Sequence, residues 1–201
     1  LSDWTYIPRR NRIAVDPDSP SDVITLAEGT DPVVVAPDGG SAAVWKDPGG
    51  TGGAPGELSV VGHDGTVQVL GDVILAPSWS GDSTRLVSQA LGSNPFERVI
   101  ATYTPASVGP LATFVREPLT FGSPVLTADG AAVVWVEETT VSGGTLRWAP
   151  AHGGGVREVA LPGEFAFGLV PSDEPGRVAL VSRFAGGAHL RVLDTDAAAD
   201  P

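Results

Sequence analysis

Cysteine and methionine are both absent from the 201-residue sequence, and lysine occurs once, at Lys46. Without cysteine the chain forms neither a disulfide framework nor a thiolate metal site. Without methionine, residue 1 is not a translation start, so we expect a mature or excised segment. No apolar run approaches the ~18 residues of a membrane span, and no signal-peptide pattern is found. We therefore expect no direct membrane insertion by this segment, and any anchor or export signal to lie upstream.

Positive charge is scarce. Twelve basic residues stand against 24 acidic ones, which gives a formal net charge of −12. Such an acidic chain is repelled by phosphate backbones and by anionic lipid surfaces, so nucleic acid is excluded as a partner. We interpret the acidity mainly as a contribution to solubility. The richness in Ala, Val, Gly, Asp and Arg, with almost no Lys, is typical of bacteria with GC-rich genomes.

The composition predicts many short strands and many turns. The chain has 26 glycines and 18 prolines, yet 42% of its residues are hydrophobic, and these come in groups of strand length. No long segment has a 3.6-residue period with helix caps, so the sequence predicts no helix.

A strand–turn–strand pattern recurs four times, starting at residues 32, 77, 124 and 168, in steps of 45, 47 and 44 residues. A constant step of this size is typical of propellers and solenoids. Each repeat reads as four short strands, which cannot bury both faces alone but can when sheets stack around an axis. We therefore predict an all-β fold, a β-propeller of four-stranded antiparallel blades. The residues that mark the repeat, to which we assign a structural role, are Asp38, Gly39, Trp79, Asp82, Asp129, Gly130 and Asp173.

The repeats divide the chain into one propeller module, with a partial blade at 1–31 and blades at about 32–75, 76–121, 122–164 and 165–196. Two arrangements fit this division. In one, a ring of four blades closes with residues 22–26 as the last strand of the final blade, and residues 1–15 form an extra hairpin. In the other, the chain is an incomplete part of a larger ring. We favour the second, because both ends fall within a blade.

Residues 76–87 resemble the repeat of the TolB-like (WD-repeat-related) β-propeller family, in which Pro-x-Trp-Ser-Pro-Asp-Gly precedes a basic residue and an apolar strand. The turns at 36–39 and 128–130 match the same pattern. Gly81 and Ser83 depart from it, standing where the family has Pro and Gly, and the fourth copy is longer around Glu174 and Pro175. The resemblance covers most of the chain and is specific for the fold. It implies an extracytoplasmic binding protein or the substrate-gating domain of a peptidase.

The recurrence of the same residues in each blade indicates a structural role for them. Because Asp38, Asp82 and Asp129 recur at one place in each blade, we expect them to accept backbone N–H bonds in turns and not to act in catalysis. We expect Trp45, Trp79 and Trp135 to pack between blades, since an aromatic side chain buries about 150–250 Å².

Metal-ligating patterns are weak. Asp16, Asp18 and Asp22 form one acidic cluster that calcium could use. A second cluster comprises Asp194, Asp196 and Asp200, and the three histidines are His63, His152 and His189. Neither acidic cluster has the Gly and bidentate Glu of an EF-hand loop, and the histidines lack zinc-site spacing. We favour turn formation and solubility, and predict no metal and no cofactor.

Catalytic signatures are missing as well. The sequence has no G-x-S-x-G, no P-loop and no G-x-G-x-x-G after a strand. Glu137 and Glu138 are adjacent, so on a strand they point to opposite faces and cannot act as a pair. We predict no catalytic residue in this segment.

We therefore expect a non-enzymatic, extracytoplasmic binding, scaffold or sensor domain that binds a protein or a small ligand. Recognition would use the channel mouth or the loops in which the repeats differ, at 47–56, 91–97, 104–110 and 138–144. In an alternative, the segment is part of a propeller-containing hydrolase, either a peptidase gating domain or a glycosidase, and the catalytic parts lie outside the segment. A third is a structural module that mediates assembly.

Overall fold

The structure, a computed structural model, describes residues 5–7, 12–14, 23–25, 30–46, 55–62, 64–93, 97–116, 123–140, 143–184 and 186–196. These residues form five antiparallel sheets joined by turns, and they contain no helix. Since no helix occurs among them, none could span a membrane.

Three of the sheets have four strands and two have three. The N-terminal sheet contains β1 (Thr5–Ile7), β2 (Arg12–Ala14) and β3 (Val23–Thr25). Blade 1 contains β4 (Thr30–Val35), β5 (Ser41–Lys46), β6 (Gly56–Gly62) and β7 (Val67–Val73). Blade 2 contains β8 (Ser78–Trp79), β9 (Leu86–Leu91), β10 (Arg98–Tyr103) and β11 (Ala112–Arg116). Blade 3 contains β12 (Val125–Leu126), β13 (Ala132–Thr140), β14 (Gly143–Pro150) and β15 (Arg157–Pro162). Blade 4 contains β16 (Phe165–Pro171), β17 (Arg177–Phe184) and β18 (Gly187–Asp194).

Each sheet is a meander in which every strand pairs with the next along the chain. The predicted plan of four strands per repeat is confirmed for blades 1 to 3, and the first strands of blades 2, 3 and 4 contact one another through β8, β12 and β16. The first strand of each blade thus lies innermost, next to its counterparts.

The alternative in which residues 22–26 complete the final blade is wrong. β3 pairs with β2, with Val23 opposite Ala14, and belongs to the N-terminal sheet. In the described part of the chain, the blade 4 sheet ends at β18. Among the described residues the sheets therefore do not close into a ring, which is consistent with the expected partial propeller.

Apolar residues fill three layers between consecutive blades, because alternate side chains of a strand point to opposite faces. Leu58 and Val60 of blade 1 pack with Leu86 and Tyr103 of blade 2. The layer between blades 2 and 3 contains Ile100, Phe114, Val133 and Trp135. The layer between blades 3 and 4 contains Val134, Leu146, Val178 and Leu180. The blades are held together by sheet-on-sheet packing.

Candidate functional site

The turns between the first and second strands of blades 1 to 3 have a left-handed residue at the same place. Gly39 and Gly130 adopt φ values of 73° and 65°, and Ser83 adopts 62° at the matching place in blade 2. In blade 4 the left-handed residue is Gly176, with a φ of 68°, one position later relative to the hydrogen bond that closes the turn. This left-handed region suits glycine, which has no Cβ, and strains other residues. The departure of Ser83 from the repeat pattern is therefore a strained position in the described structure.

The recurring aspartates accept hydrogen bonds within these turns. The backbone N–H groups of Gly40, Thr84 and Ala131 donate to Asp38, Asp82 and Asp129 over 2.8, 3.1 and 3.2 Å. The hydroxyls of Ser80 and Thr127 donate to Asp82 and Asp129, each over 2.6 Å. In the fourth turn the Ser172 hydroxyl accepts from the N–H of Glu174 over 3.1 Å. A purely structural role for these aspartates stays a prediction.

The turns are also linked from blade to blade. The N–H of Asp38 donates to Ser83 Oγ over 2.9 Å, which joins blades 1 and 2. The N–H of Asp82 donates to the carbonyl of Ala128 over 2.7 Å, which joins blades 2 and 3. Burial works to raise the pKa of Asp129 in blade 3, and the backbone of Gly176 in blade 4 is among the groups that lower it. The turns of blades 1 to 3 therefore form one connected rim at this end of the inner strands, and the turn of blade 4 lies beside it.

This rim encloses a groove of about 650 Å³, which we call the turn groove. All four blades contribute to it: Pro37 from blade 1, Asp82 from blade 2, Asp129 from blade 3 and Asp173 from blade 4. Trp79, Gly81, Ala128, Pro171, Ser172 and Pro175 complete its lining. Because its walls are turns that are hydrogen-bonded to one another, the groove is held in shape without a ligand.

Asp82 and Asp129 of the turn groove are ionised at neutral pH. Burial works to raise the pKa of Asp82, but hydrogen bonds from Ser80 and Thr84 and the nearby Arg85 charge outweigh burial and lower it. At Asp129, burial is likewise outweighed by hydrogen bonds from Thr127, Ala131 and backbone groups, and the pKa is lowered. Carboxylates in this state accept hydrogen bonds and attract positive charge, but they do not supply protons as general acids. The arrangement suits binding.

The tryptophans lie beside this rim and between blades. Trp79 is buried in the layer between blades 1 and 2, and its Nε1–H donates to the carbonyl of Val34 over 2.8 Å. Trp45 packs against the same layer. Trp135 is buried between blades 2 and 3, with its ring centroid 5.6 Å from that of Phe114.

The candidate metal ligands do not come together in the described structure. Asp16, Asp18, Asp22, His63 and Asp200 lie outside the described residues. Asp196 donates its N–H to Asp194 Oδ1 over 3.0 Å, which is a turn contact. The remaining histidines, His152 and His189, are exposed in a turn and on β18. Within the described ranges, no group of three or more His, Asp or Glu side chains could hold a metal ion.

Two carboxylates are buried: Glu137, which the sequence analysis considered only as a pair with Glu138, and Glu164, which it did not consider. Glu137 is fully buried; it accepts from Trp135 Nε1 over 3.2 Å and forms an ion pair with Arg147 over 2.5 Å. Glu164, 7% exposed, accepts from the Ser182 hydroxyl over 2.6 Å and pairs with Arg191 and His189. The Ser182 hydrogen bond lowers the pKa of Glu164; burial opposes this, and the charge of Arg191 adds to it. For Glu137 the available signal was a polar residue at an inward-facing position of β13; Glu164 lies in a turn, where the sequence carries no such signal.

In the Glu164 cluster the Ser182 hydroxyl donates to the carboxylate of Glu164. Because the pKa of Glu164 is lowered, its carboxylate is a weak base for the Ser182 proton. The ring of His189 stacks on Phe184, with centroids 4.1 Å apart. The cluster instead joins the turn after β15 to β17 and β18.

One of the four loops expected to carry function is not a loop. Residues 138–140 and 143–144 continue β13 and β14, which extend into a longer hairpin. Residues 104–110 form turns, in which Val108 is 93% exposed. Most of 47–56 and the middle of 91–97 lie outside the described residues.

Solved structures share this fold at low sequence identity, whereas no family model and no curated protein matches the sequence. A prolyl endopeptidase aligns with a TM-score of 0.61 and 18% identity over 90% of this chain and 29% of its own. The β-propeller domain of the Trilobed protease from Pyrococcus furiosus has a TM-score of 0.62 and 12% identity over 85% of this chain and 55% of its own. TolB from Acinetobacter baumannii has a TM-score of 0.54 and 19% identity over 98% of this chain and 52% of its own.

The chain therefore has a TolB-like β-propeller fold, as the sequence predicted. It spans between 29% and 55% of the length of these three structures. The likeness identifies the fold alone.

Proposed function

We propose that this propeller segment is a non-enzymatic binding domain, and that the turn groove is its recognition surface. The observation that carries the proposal is the groove itself, about 650 Å³ in volume and lined by turns of four consecutive blades. Hydrogen bonds between turns hold it in shape, so little ordering entropy is lost when a ligand binds. Ionised carboxylates beside prolines and Trp79 favour a ligand with apolar groups and hydrogen-bond donors or positive charge.

A protein segment or a small molecule could supply that chemistry, and both remain within the proposal. We place the domain outside the cytoplasm because residues 76–87 resemble the TolB-like repeat. We propose no nucleic-acid partner, since the net charge of −12 opposes phosphate backbones.

Peptide selection tests the site. Phage-displayed heptapeptides are selected for binding to the immobilised chain, and the affinities of the corresponding synthetic peptides are then measured by titration calorimetry. Asp173 is exposed on the groove wall, so Asp173→Lys changes its charge without disturbing a buried contact. We expect this variant to bind a selected peptide about tenfold more weakly, which corresponds to about 1.4 kcal/mol.

Asp72→Lys is the matched control, because Asp72 is exposed on the outer strand of blade 1 and does not line the groove. Equal affinity of every selected peptide for the native chain and Asp173→Lys would place recognition elsewhere. Circular dichroism of both variants excludes a folding defect as the cause.

A second candidate is the gating or substrate-admitting propeller of a peptidase. It is favoured by the alignments with a prolyl endopeptidase and with the propeller domain of the Trilobed protease. The coding sequence on either side of residues 1–201 distinguishes the two. An adjoining hydrolase domain supports the peptidase alternative, and an adjoining lipid anchor or membrane segment supports the binding domain.

A further inference from the structure

The residue that follows the inner turn differs between blades 2 and 3. Arg85 and Ala132 hold the same place, since the carbonyl of each accepts the hydrogen bond that closes its turn, over 2.9 and 3.0 Å. Each points to the following blade, because Val87 and Val134, two positions further along, lie in the layers toward blades 3 and 4. A Cβ added to Gly130 of blade 3 would lie 3.3 Å from Arg85 Cδ, so the arginine stem reaches into the space between blades 2 and 3. Alanine at the same place in blade 3 leaves the corresponding space toward blade 4 unfilled.

A cavity of about 510 Å³ lies at this place between blades 3 and 4, and we call it the interblade cavity. Blade 4 contributes Thr195 and Asp196 to its wall. Its volume is within the range of roughly 300–1,000 Å³ that is usual for small-molecule sites. Among the described residues it shares no lining with the turn groove, so it is a separate site. Most of the wall comes from blade 3 and is apolar, with Ala131, Ala132, Trp148, Ala149, Pro150 and Val156.

The indole of Trp148 adds a buried donor to the wall of the cavity. Trp148 pairs with Val134 as Thr102 pairs with Val87, so the two residues hold the same place in blades 3 and 2. The Thr102 hydroxyl donates to the carbonyl of Ala151 in the following blade over 2.6 Å. In contrast, Nε1–H of Trp148 is buried and has no acceptor in the described part of the chain. An unpaired buried donor destabilises a fold, and an acceptor on a molecule bound in the cavity can remove that cost.

Opposite charges line the cavity on its two walls. Arg157 lies on β15 beside Trp148 in the strand register, and Asp196 follows β18 in blade 4. Both are exposed, and within the described ranges neither takes part in an ion pair. A guanidinium group can bind a carboxylate through two parallel hydrogen bonds, and a carboxylate accepts hydrogen bonds from an ammonium group. The two walls therefore suit a molecule that carries both charges.

We propose that the interblade cavity binds a small zwitterion with an apolar side chain, which is an amino acid or a short peptide. The carboxylate of the ligand pairs with Arg157, its ammonium group pairs with Asp196, and its apolar side chain lies on Trp148 and the alanines of the wall. The oxygen atoms of the ligand are acceptors of the kind that Trp148 Nε1 lacks. Because the cavity is separate from the turn groove, the proposal does not depend on the function proposed above.

Calorimetric titration of the whole 201-residue chain with L-leucine and with L-leucyl-L-leucine tests the proposal. The two probes distinguish an amino-acid site from a peptide site. We expect at least one of them to bind with a dissociation constant below about 1 mM. Its N-acetylated form lacks the ammonium group and its amide lacks the carboxylate, so each should bind at least about tenfold more weakly. If neither zwitterion binds at concentrations up to about 10 mM, the proposal is wrong.

Variants of the two charged residues assign each end of the ligand. Arg157→Gln should bind the zwitterion and its amide equally, because the carboxylate has lost its partner. Asp196→Asn should bind the zwitterion and its N-acetylated form equally, because the ammonium group has lost its partner. Arg183→Gln is the matched control, since Arg183 is exposed on β17 and does not line the cavity, and it should bind like the native chain. Affinities that Arg157→Gln and Asp196→Asn leave unchanged overturn the proposal.

Ala132→Arg tests the cavity itself, because it gives blade 3 the residue that blade 2 has at the same place. We expect the arginine side chain to fill the cavity and to abolish binding, with circular dichroism showing that the variant is folded. A folded Ala132→Arg chain that binds the zwitterion like the native chain contradicts the proposed site. Should Ala132→Arg not fold, the variants of the exposed Arg157 and Asp196 still test the site.

Discussion

Ser83 shows how one residue can break a repeat pattern and still serve the fold. It adopts a φ of 62°, where the matching residues of blades 1 and 3, Gly39 and Gly130, are glycine. Its side chain is the acceptor for the N–H of Asp38 in the preceding blade, over 2.9 Å. A left-handed conformation costs a non-glycine residue roughly 1–2 kcal/mol, and an intramolecular hydrogen bond returns about 1 kcal/mol. The hydroxyl therefore offsets much of the strain.

Two substitutions separate these contributions. Ser83→Ala keeps the strain and removes the acceptor, so we expect the free energy of unfolding to fall by about 1 kcal/mol. Ser83→Gly removes both, and we expect it to be more stable than Ser83→Ala by about 1 kcal/mol. Urea denaturation followed by tryptophan fluorescence measures both. If alanine were as stable as glycine at this position, the backbone would not be strained there.

At the scale of elements, blade 4 is attached to blade 3 through a cluster of polar side chains around Glu164 as well as through an apolar layer. Glu164 lies in the turn between β15 and β16, accepts from Ser182 on β17 and pairs with Arg191 on β18. Glu174 pairs with Arg177 in the same blade, but both side chains are largely exposed. The two carboxylates have similar partners and differ in burial.

We expect the difference in burial between Glu164 and Glu174 to decide how much each contributes to the free energy of unfolding. We expect Glu164→Ala to lower the free energy of unfolding by about 1–3 kcal/mol, because it leaves the buried Ser182 hydroxyl unpaired. Glu174→Ala is the control and should cost less than about 1 kcal/mol. Urea denaturation at neutral pH compares them, and equal effects would contradict a structural role for the Glu164 cluster.

The contribution of Glu164 to stability should also depend on pH. The folded-state pKa of Glu164 lies below its ordinary value of 4.5. Its contribution to stability is therefore present above that value and is lost as the pH falls through the folded-state pKa. The difference in stability between the native chain and Glu164→Ala should narrow in acid, and a difference that widens would contradict the assigned direction.

At the scale of the whole molecule, the chain is an open array of sheets with a net charge of −12. In an open array each blade gains stability from its neighbours, and an end blade has fewer of them. Self-repulsion of a strongly charged chain opposes the compact state, and salt screens it. Screening lengths fall from about 30 Å at 0.01 M to about 8 Å at 0.15 M salt.

We expect the melting temperature at low protein concentration to rise between about 0.01 M and about 0.15 M NaCl. A gain of about 1 kcal/mol corresponds to about 2–4 °C for a domain of this size. Differential scanning calorimetry at low protein concentration measures this effect. An unchanged or lower melting temperature would show that favourable ion pairs outweigh the net repulsion.

The sequence alone determined the all-β fold, the number of strands in each complete repeat and the position of the recurring turns. These features follow from local patterns, since strand alternation and Asp-Gly turn chemistry act over a few residues and repeat at a fixed step. The same repetition assigned Asp38, Asp82 and Asp129 to matching turns, and two of these residues, Asp82 and Asp129, line the turn groove.

Only the tertiary structure decided which sheets pack on one another and which sheet face is exposed. The pairing of β3 with β2, the extension of β13 and β14 through residues predicted as a loop, and the burial of Glu137 and Glu164 depend on how strands pair and sheets pack, which the alternation of residues within one strand does not specify. The Asp-bearing turns form a groove only because the blades stack around one axis. The apolar alternation of β17 and β18 looks the same in sequence as that of β13 and β14. Whether such a face is buried or exposed depends on the sheet that lies against it, and a strand's own residues do not contain that information.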